Sequence, residues 1–379
     1  MQALSHSHHR TATGVALRAV VLALVIGLVL SGVASARQAY EAPLARHGNV
    51  AHGKKKHKRA KHRRARAAAV SIDLCAKQGT VTLPDSTTLP TWGFVKKPPA
   101  GSCTDPGVDA QIPGPVLDVN AGDPVTVNVQ NLLPDDLALD IPGIRLDAGP
   151  TSVPAGGSRT VTFTANNPGT YLYESSGDAG RQAEVGLAGA LIVRPAASGQ
   201  AYNAASTAYN KESMMVLSEI VPGLNNAAAQ TCGSQSCLGS FEMYDYKTAA
   251  TDAPQDARVS NFKPAYRLIN GKAYPQIPTI NAAAGDRVLL RYVNAGSEQA
   301  TTTMLGTDAR MVGRGASPLG APFDFVAETF PAGSTGDAIV TVPASAASGT
   351  KFPIYDRHLE LFNGSATGLG GRIRFIEVP

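Results

Sequence analysis

Histidine is nearly absent from the part of the chain that is expected to fold. Seven of the eight histidines lie within the first 69 residues, and the remaining one is His358. A single folded chain therefore cannot build a centre that needs several imidazoles. The sequence also lacks a P-loop, a dinucleotide-binding fingerprint and a serine nucleophile elbow with a histidine partner, so it gives no support for nucleotide binding or serine hydrolase chemistry.

Aromatic residues are also scarce, at 6% of the chain, whereas glycine and proline are plentiful, at 38 and 26 residues. This composition is typical of a β protein with many turns. Beyond the first 36 residues no apolar run is long enough to cross a bilayer, so we expect a soluble mature protein.

Residues 1–36 have the features of a secretory signal peptide. Arg10 and Arg18 precede an apolar run of about 15 residues, which is short for a membrane span, and Ala34 and Ala36 supply the small residues that signal peptidase needs. The sequence therefore predicts an exported protein of bacterial character, secreted or otherwise extracytoplasmic. An uncleaved membrane anchor is the alternative.

Residues 37–69 form a basic arm that is expected to be disordered. The run Lys54–Arg66 carries nine Lys or Arg and no acid, and charges of one sign at this density repel each other. Of the 34 Lys and Arg, 13 lie in residues 1–69, which leaves 21 bases against 28 acids in residues 70–379. The folded part is thus acidic, and nucleic-acid binding is not predicted. The arm would bind an anionic cell-envelope surface, or serve as a solvated linker.

The four cysteines are Cys75, Cys103, Cys232 and Cys237. An even number in an exported chain indicates disulfides, and no histidine lies near them to suggest zinc. Local pairing, Cys75 with Cys103 and Cys232 with Cys237, is the simplest of three connectivities.

The sequence from residue 110 onward contains an internal repeat. Three positions match at a constant offset of 163 residues: Pro115/Pro278, Gly122/Gly285 and Asn131/Asn294. A second match, at an offset of 177, joins Pro154-Ala-Gly-Gly-Ser158 to Pro331-Ala-Gly-Ser334. A period this long indicates two copies of a whole domain.

Both copies alternate apolar and polar residues in short segments, which predicts strands. The segments are Val116–Val119, Val125–Val129, Thr160–Thr164, Gly169–Tyr173, Gly189–Val193, Val288–Val293, Asp337–Val342 and Arg372–Ile376. We predict an all-β fold of two tandem Greek-key β-sandwich domains, residues 70–196 and 265–379. Residues 197–264 are expected to connect them, with one strand-like stretch at Met214–Leu217.

These motifs resemble the cupredoxin superfamily, specifically the multicopper oxidases and the two-domain copper nitrite reductases. The similar elements run in the family's order, and some occur in both copies: Ile112-Pro-Gly-Pro115, Gly122-Asp123, Gly169-Thr-Tyr-Leu-Tyr173, Gly186–Val193, Leu268-Ile-Asn-Gly271 and Glu328–Gly333. The resemblance implies a cupredoxin-like fold for both domains and, by analogy, a homotrimer.

The resemblance also implies where copper ligands would stand, and those positions hold other residues. The first His-x-His of the family falls on Asp140-Ile141-Pro142 and the second on Glu174-Ser175-Ser176. The blue-copper cysteine position is Ser175, and the axial methionine position is Leu187. Copper in this family needs imidazole and thiolate ligands. No cofactor is therefore expected, and copper is expected only if the chain is nevertheless an oxidoreductase.

Four residues are weak candidates for a different metal site. The resemblance aligns His358 with a histidine that ligates copper across a subunit interface, and aligns Asp140 with a catalytic aspartate. With Glu174 and Glu360 these residues suggest an oxygen-rich zinc or iron site at a trimer interface. His358 and Glu360 are expected to share one face of a strand, because side chains alternate with period two. The alternative is a hydrogen-bonded histidine beside solvated acids.

Three functions follow from these expectations. The first is a catalytically inactive binding or structural scaffold at the cell envelope. The second is a copper-dependent oxidoreductase of the multicopper oxidase or nitrite reductase type. The third is an assembly subunit whose partner chain supplies the redox centre.

Overall fold

The computed structural model describes residues 69–149, 151–242, 244–245, 259–260 and 262–379. The predicted signal peptide and residues 37–68 of the basic arm lie outside these ranges. Among the described residues no helix is long and apolar enough to cross a membrane.

The first domain is a sandwich of two sheets. Its strands are β1 (Val70–Thr82), β2 (Thr88–Lys96), β3 (Gly114–Asn120), β4 (Asp123–Asn131), β5 (Leu137–Asp140), β6 (Thr151–Val153), β7 (Ser158–Ala165), β8 (Gly169–Ser175) and β9 (Ala188–Arg194). One sheet has the order β2-β1-β4-β7 and the other β3-β9-β8-β5-β6. Apolar side chains from both sheets, among them Trp92, Phe163 and Leu191, meet in one buried core. The alternation of buried and exposed residues along β4 shows why this sequence forms a strand with one face inside.

The second domain repeats this plan with two more strands. The remaining strands are β10 (Lys211–Ile220), β11 (Thr231–Cys232), β12 (Gln235–Ser236), β13 (Tyr244–Asp245), β14 (Val259–Ser260), β15 (Tyr266–Ile269), β16 (Ile280–Asn281), β17 (Arg287–Asn294), β18 (Ala300–Met304), β19 (Ala309–Arg314), β20 (Ser317–Phe325), β21 (Ala327–Phe330), β22 (Thr335–Thr341), β23 (Lys351–Asp356) and β24 (Ile373–Glu377). The sheets are β15-β10-β17-β22-β19-β20 and β16-β24-β23-β18-β21, and β11-β12 and β13-β14 form two small ribbons.

Short helical segments lie between the strands. The α-helices are α1 (Arg181–Glu184) and α2 (Pro222–Ala229), and the 3₁₀ turns are Gly177–Gly180, Ala205–Thr207 and Leu238–Ser240. Proline in the first turn of α2 suits a helix start, because its missing N–H is not needed there. α1 follows β8 after the 3₁₀ turn Gly177–Gly180 and brings Gln182 and Glu184 into the interior.

The repeat seen in the sequence corresponds to equivalent contacts in the two domains. Gly122 and Gly285 both adopt a positive φ, 94° and 85°, in the turns before β4 and β17. The buried Asn131 amide donates to the carbonyls of Asp135 (2.9 Å) and Val153 (3.0 Å). The Asn294 amide donates in the same way to Glu298 O and Phe330 O. Each asparagine thus joins the end of a central strand to two loops. The offset of 163 residues relates the two asparagines, and the offset of 177 relates the loops that begin where their hydrogen bonds are accepted.

The stretch between the domains is more than a linker. Within the predicted connecting segment 197–264, β10 pairs in parallel with β17 and antiparallel with β15. This arrangement matches β1, which pairs in parallel with β4 and antiparallel with β2. The second domain therefore begins at β10, earlier than the boundary at residue 265, because the first strand of each copy lies outside the repeated motifs.

Two disulfides are present. Cys75 in β1 bonds to Cys103, and Cys232 bonds to Cys237 in the loop after α2. These are the local pairs that the sequence favours. Cys75 and Cys103 are fully buried beside Val95 and Val108, so the first bond anchors the loop after β2 to its sheet.

Candidate functional site

The position of the blue-copper cysteine is occupied by a buried hydrogen-bonded pair. Ser175, the last residue of β8, donates its hydroxyl hydrogen to Gln182 Oε1 at 2.7 Å, and Ala138 N donates to Ser175 Oγ at 3.1 Å. Gln182, on α1, donates in turn to Asp136 O at 2.8 Å. Ser175, Gln182 and the neighbouring Leu187 are all 0% exposed. Ser175 and Gln182 therefore form hydrogen bonds with each other and with neighbouring backbone groups.

These residues do not fit a blue copper ion. Such a site needs a thiolate and imidazole nitrogens with a weak axial ligand. Here the cysteine and methionine positions present a hydroxyl and an aliphatic side chain, and the hydroxyl is hydrogen-bonded to the Gln182 carboxamide. Gln182 was not singled out from the sequence, since its role depends on the turn that folds α1 back onto β8.

Asp140 and Glu174 are brought together near the ends of two neighbouring strands in the same sheet. They stand opposite each other in the antiparallel pairing of β5 with β8, and both are half-buried. Burial raises the pKa of the Glu174 carboxyl, and the nearby charge of Asp140 raises it further. Asp140 Oδ1 accepts a hydrogen bond from Ile141 N at 2.8 Å. The pair is thus two acids of like charge.

His358 and Glu360 lie in the second domain, and the expectation that they share a strand face is wrong. β23 ends at Asp356, so both residues follow in a turn, where Leu359 adopts a positive φ of 62°. The turn nevertheless directs both toward one cleft, which we call the His358 cleft. It has a volume of about 260 Å³ and is lined by Arg267, Glu298, Gln299, Asp356, His358 and Glu360.

The His358 cleft is predominantly acidic. Asp356, 2% exposed, accepts hydrogen bonds from the His358 backbone N (3.0 Å) and lies 3.1 Å from His358 Nδ1. The buried Arg267 pairs with Glu298 at 2.8 Å and with Glu360. Three carboxylates thus face one arginine and one histidine. Because the Asp356 carboxylate accepts a hydrogen bond from Nδ1 of His358, the neutral imidazole tautomer with its proton on Nδ1 is favoured, which leaves Nε2 as an acceptor.

The four weak metal candidates are divided between the two domains. Asp140 and Glu174 belong to the first, and His358 and Glu360 to the second. In the described part of the chain, no group of three or more His, Cys, Asp or Glu side chains is arranged to hold a metal ion. A metal site shared between chains stays a prediction.

Comparison with known proteins agrees with this fold. Residues 97–198 match the multicopper oxidase family model. A blue copper oxidase from Nitrosomonas europaea superposes with a TM-score of 0.63 at 19% identity, covering 82% of this chain and 86% of that one. A copper nitrite reductase from the same organism gives 0.58 at 19% identity, with coverages of 82% and 94%. This chain has a cupredoxin-like fold.

Among curated relatives, this cupredoxin-like chain is 27% identical to copper resistance protein A of Escherichia coli over 221 residues. It is 24% identical to the multicopper oxidase MmcO of Mycobacterium tuberculosis over 202 residues. The matches cover 50% of this chain in each case, but 35% and 38% of the relatives. The chain therefore spans well under half of the length of these proteins, and only the fold is carried over.

Proposed function

We propose that this chain is an exported cupredoxin-fold protein that acts through binding at the cell envelope, without copper redox chemistry. The observation that carries the proposal is the buried Ser175–Gln182 pair beside Leu187. Its hydrogen bonds make these residues part of the core, where a copper enzyme would present ligands.

Export is supported by the two disulfides, which form and persist in oxidising compartments. The signal-like residues 1–36 and the basic arm 37–69 are consistent with a protein that is held at an anionic envelope.

The face that we propose for binding is the His358 cleft. A pocket that combines convergent polar groups with apolar neighbours is the usual form of a ligand site. Leu359 (57% exposed) and Phe362 (39% exposed) lie in the loop that forms one side of the cleft. An acidic pocket beside exposed apolar side chains suits a basic, partly apolar ligand or peptide.

Activity assays test the main proposal. The purified full chain is loaded with Cu(II), and phenol oxidation and nitrite reduction are measured beside a multicopper oxidase as positive control. We expect no turnover above the copper-containing buffer. Turnover that is lost on Ser175→Ala but kept in an Asn128→Ala control would contradict the proposal, because it would place the reaction at the buried pair.

The second candidate is a copper-dependent oxidoreductase, and the family match over residues 97–198 favours it. For this function, several chains or a partner would have to supply imidazoles, since residues 70–379 carry only His358. Turnover that appears on oligomerisation and is abolished by His358→Ala would support this candidate. Pull-down from envelope extracts, with and without residues 37–69, would identify a partner that supplies the centre.

A further inference from the structure

Two buried carboxyl groups face each other where the two domains meet. Glu184 lies at the end of α1 in the first domain, and Glu219 lies in β10 of the second. They are 6% and 1% exposed. Gly296 makes room for Glu219, since any side chain at position 296 would overlap the Glu219 carboxyl group. We call Glu184 and Glu219 the carboxyl pair.

Each member of the carboxyl pair has one satisfied and one unsatisfied oxygen. Ser297 donates its hydroxyl hydrogen to Glu184 Oε2 at 2.7 Å, and Arg372 donates to Glu219 Oε1. Glu184 Oε1 and Glu219 Oε2 are buried and receive no hydrogen bond from the described residues. Two unsatisfied carboxylate oxygens at one apolar contact would be costly if both groups were charged.

The carboxyl pair borders a small space of about 20 Å³. Its other walls are mainly apolar and include Ile112, Val216 and Ala295. A space of this size has room for one water molecule. It offers few oxygen ligands beyond the two carboxyl groups, whereas a hard cation such as Ca²⁺ takes six to eight. A proton suits the site better than a metal ion.

The surrounding charges do not neutralise both groups. Arg372 faces Glu219 and also lies 3.5 Å from Asp356, so its charge is shared. Farther along β15, Arg267 faces Glu219 but pairs with Glu298 and Glu360. Ser297, the group nearest to Glu184 from the loop after β17, carries no charge. The cluster therefore holds more carboxylates than cations.

We propose that the carboxyl pair is a proton-operated latch between the two domains: one proton is retained between Glu184 and Glu219 in the closed state, and its release loosens the contact. The proton lies on Glu184, because Arg372 stabilises the charged form of Glu219. A neutral Glu184 donates its hydrogen toward Glu219, directly or through one water molecule, and satisfies both free oxygens.

The expected pH range follows from the environment of Glu184. Burial, and then the charge of Glu219, raise the pKa of Glu184 from 4.5 to about 8. Since the folded-state pKa lies above the unfolded value, the folded chain retains a proton that the unfolded chain releases. The contribution to stability is fully present below pH 4.5 and is lost as the pH rises toward 8.

Trp92 provides a built-in probe of the latch. It is the single tryptophan, and its backbone N donates to Val185 O at 3.1 Å, immediately after Glu184. The experiment follows Trp92 fluorescence and the urea unfolding midpoint of the full chain from pH 5 to pH 9. The variants are Glu184→Gln and, as a control, Glu377→Gln, a carboxyl group in β24 that pairs with Lys351.

We expect the Trp92 signal of the parent chain to titrate with a midpoint near pH 8, together with a falling unfolding midpoint. In Glu184→Gln both signals should be flat, because the amide supplies a permanent donor. Glu377→Gln should behave like the parent. A flat parent profile, or the same titration in Glu184→Gln, would overturn the proposal.

Glu219→Gln keeps the test valid if Glu184→Gln does not fold. Removing the charge that faces Glu184 should move the Trp92 midpoint toward acid, and an unchanged midpoint would overturn the proposal. In a further measurement, the urea unfolding midpoint is determined at pH 8 with and without added Ca²⁺. Stabilisation by Ca²⁺ that is lost in Glu184→Gln would also overturn it, since the occupant would then be a cation.

Discussion

The two domains share one topology but bury different polar chemistry. Arg267, Arg291, Arg372 and Arg374 of the second domain are at most 8% exposed. Among its described residues the first domain buries no lysine or arginine, and its interior polar groups at the blue-copper position are the neutral Ser175 and Gln182. The strand order is therefore compatible with an interior that contains several arginines and with one that contains none.

This difference teaches that the fold and the site chemistry are specified separately. Both domains depend on a positive-φ glycine before the central strand and on a buried asparagine at its end. The positions that the resemblance assigns to copper ligands are not among these shared glycines and asparagines. The Ser175–Gln182 hydrogen bond at one of these positions is compatible with the same fold.

The largest expected effect is on the charged interior of the second domain. Arg291 is 0% exposed, pairs with Glu212 and Asp337, and donates to Thr170 of the first domain at 2.9 Å. Arg291→Met leaves the buried Asp337 without this cation, whereas Glu212 keeps its ion pair with Arg194, and the change should cost about 3–5 kcal/mol of unfolding free energy. Urea unfolding measures this loss. Arg310→Met, at an exposed ion pair, should cost less than about 1 kcal/mol, and equal losses would contradict the contrast.

The disulfides also distinguish the two domains. From β15 onward, the described part of the second domain has no disulfide. Cys75 and Cys103 are 28 residues apart, whereas Cys232 and Cys237 are 5 apart. From loop length, replacing the first pair by alanine should cost about 3–4 kcal/mol and replacing the second about 2 kcal/mol. Thermal unfolding of the two double variants measures which pair stabilises the protein more. A larger stability loss on removing the Cys232–Cys237 bond would contradict the prediction.

The paired asparagines test whether the two domains are held in the same way. Asn131→Ala and Asn294→Ala each leave buried carbonyls without a donor, so each should lose about 1–3 kcal/mol. Asn128→Ala, at a half-buried position on β4 with surface hydrogen bonds to Asp73 and Thr160, should lose less than about 1 kcal/mol. Equilibrium unfolding decides. If only one of the two variants loses unfolding free energy, the two asparagines do not contribute equally to stability, which would contradict the prediction.

The smallest expected effect concerns Glu174 and Asp140. Burial and the opposing Asp140 raise the pKa of Glu174, so the folded state is favoured while Glu174 is protonated and loses that advantage as the pH rises through its raised pKa. Glu174→Gln should therefore stabilise the protein by less than about 1 kcal/mol at pH 7, with no gain near pH 4. Unfolding midpoints at the two pH values test this. A gain at pH 4 would contradict it.

Much of the fold follows from the sequence, because turns and alternating strands are local signals. Gly122, Gly285 and the two asparagines mark equivalent places in both copies. Every predicted strand segment overlaps a strand, and only Val342 and Arg372 fall one residue outside. The role of β10 was not foreseen, since its pairing with β17 joins residues about 75 positions apart.

The site was less predictable than the fold. The sequence identified Ser175 and Leu187 but not Gln182, which α1 turns back toward Ser175. It placed His358 and Glu360 on a strand, whereas β23 ends two residues before His358. The carboxyl pair depends on packing between domains, which no local pattern encodes.

Copper binding by the full chain tests the central claim most directly. After Cu(II) loading and removal of weakly bound metal with a chelator, copper content, visible absorption and the EPR spectrum are measured on the parent chain and on Ser175→Ala. We predict no stoichiometric copper, no thiolate–copper absorption band, and identical results for the two proteins. Stoichiometric copper that resists the chelator in the parent and is lost in Ser175→Ala would contradict the account.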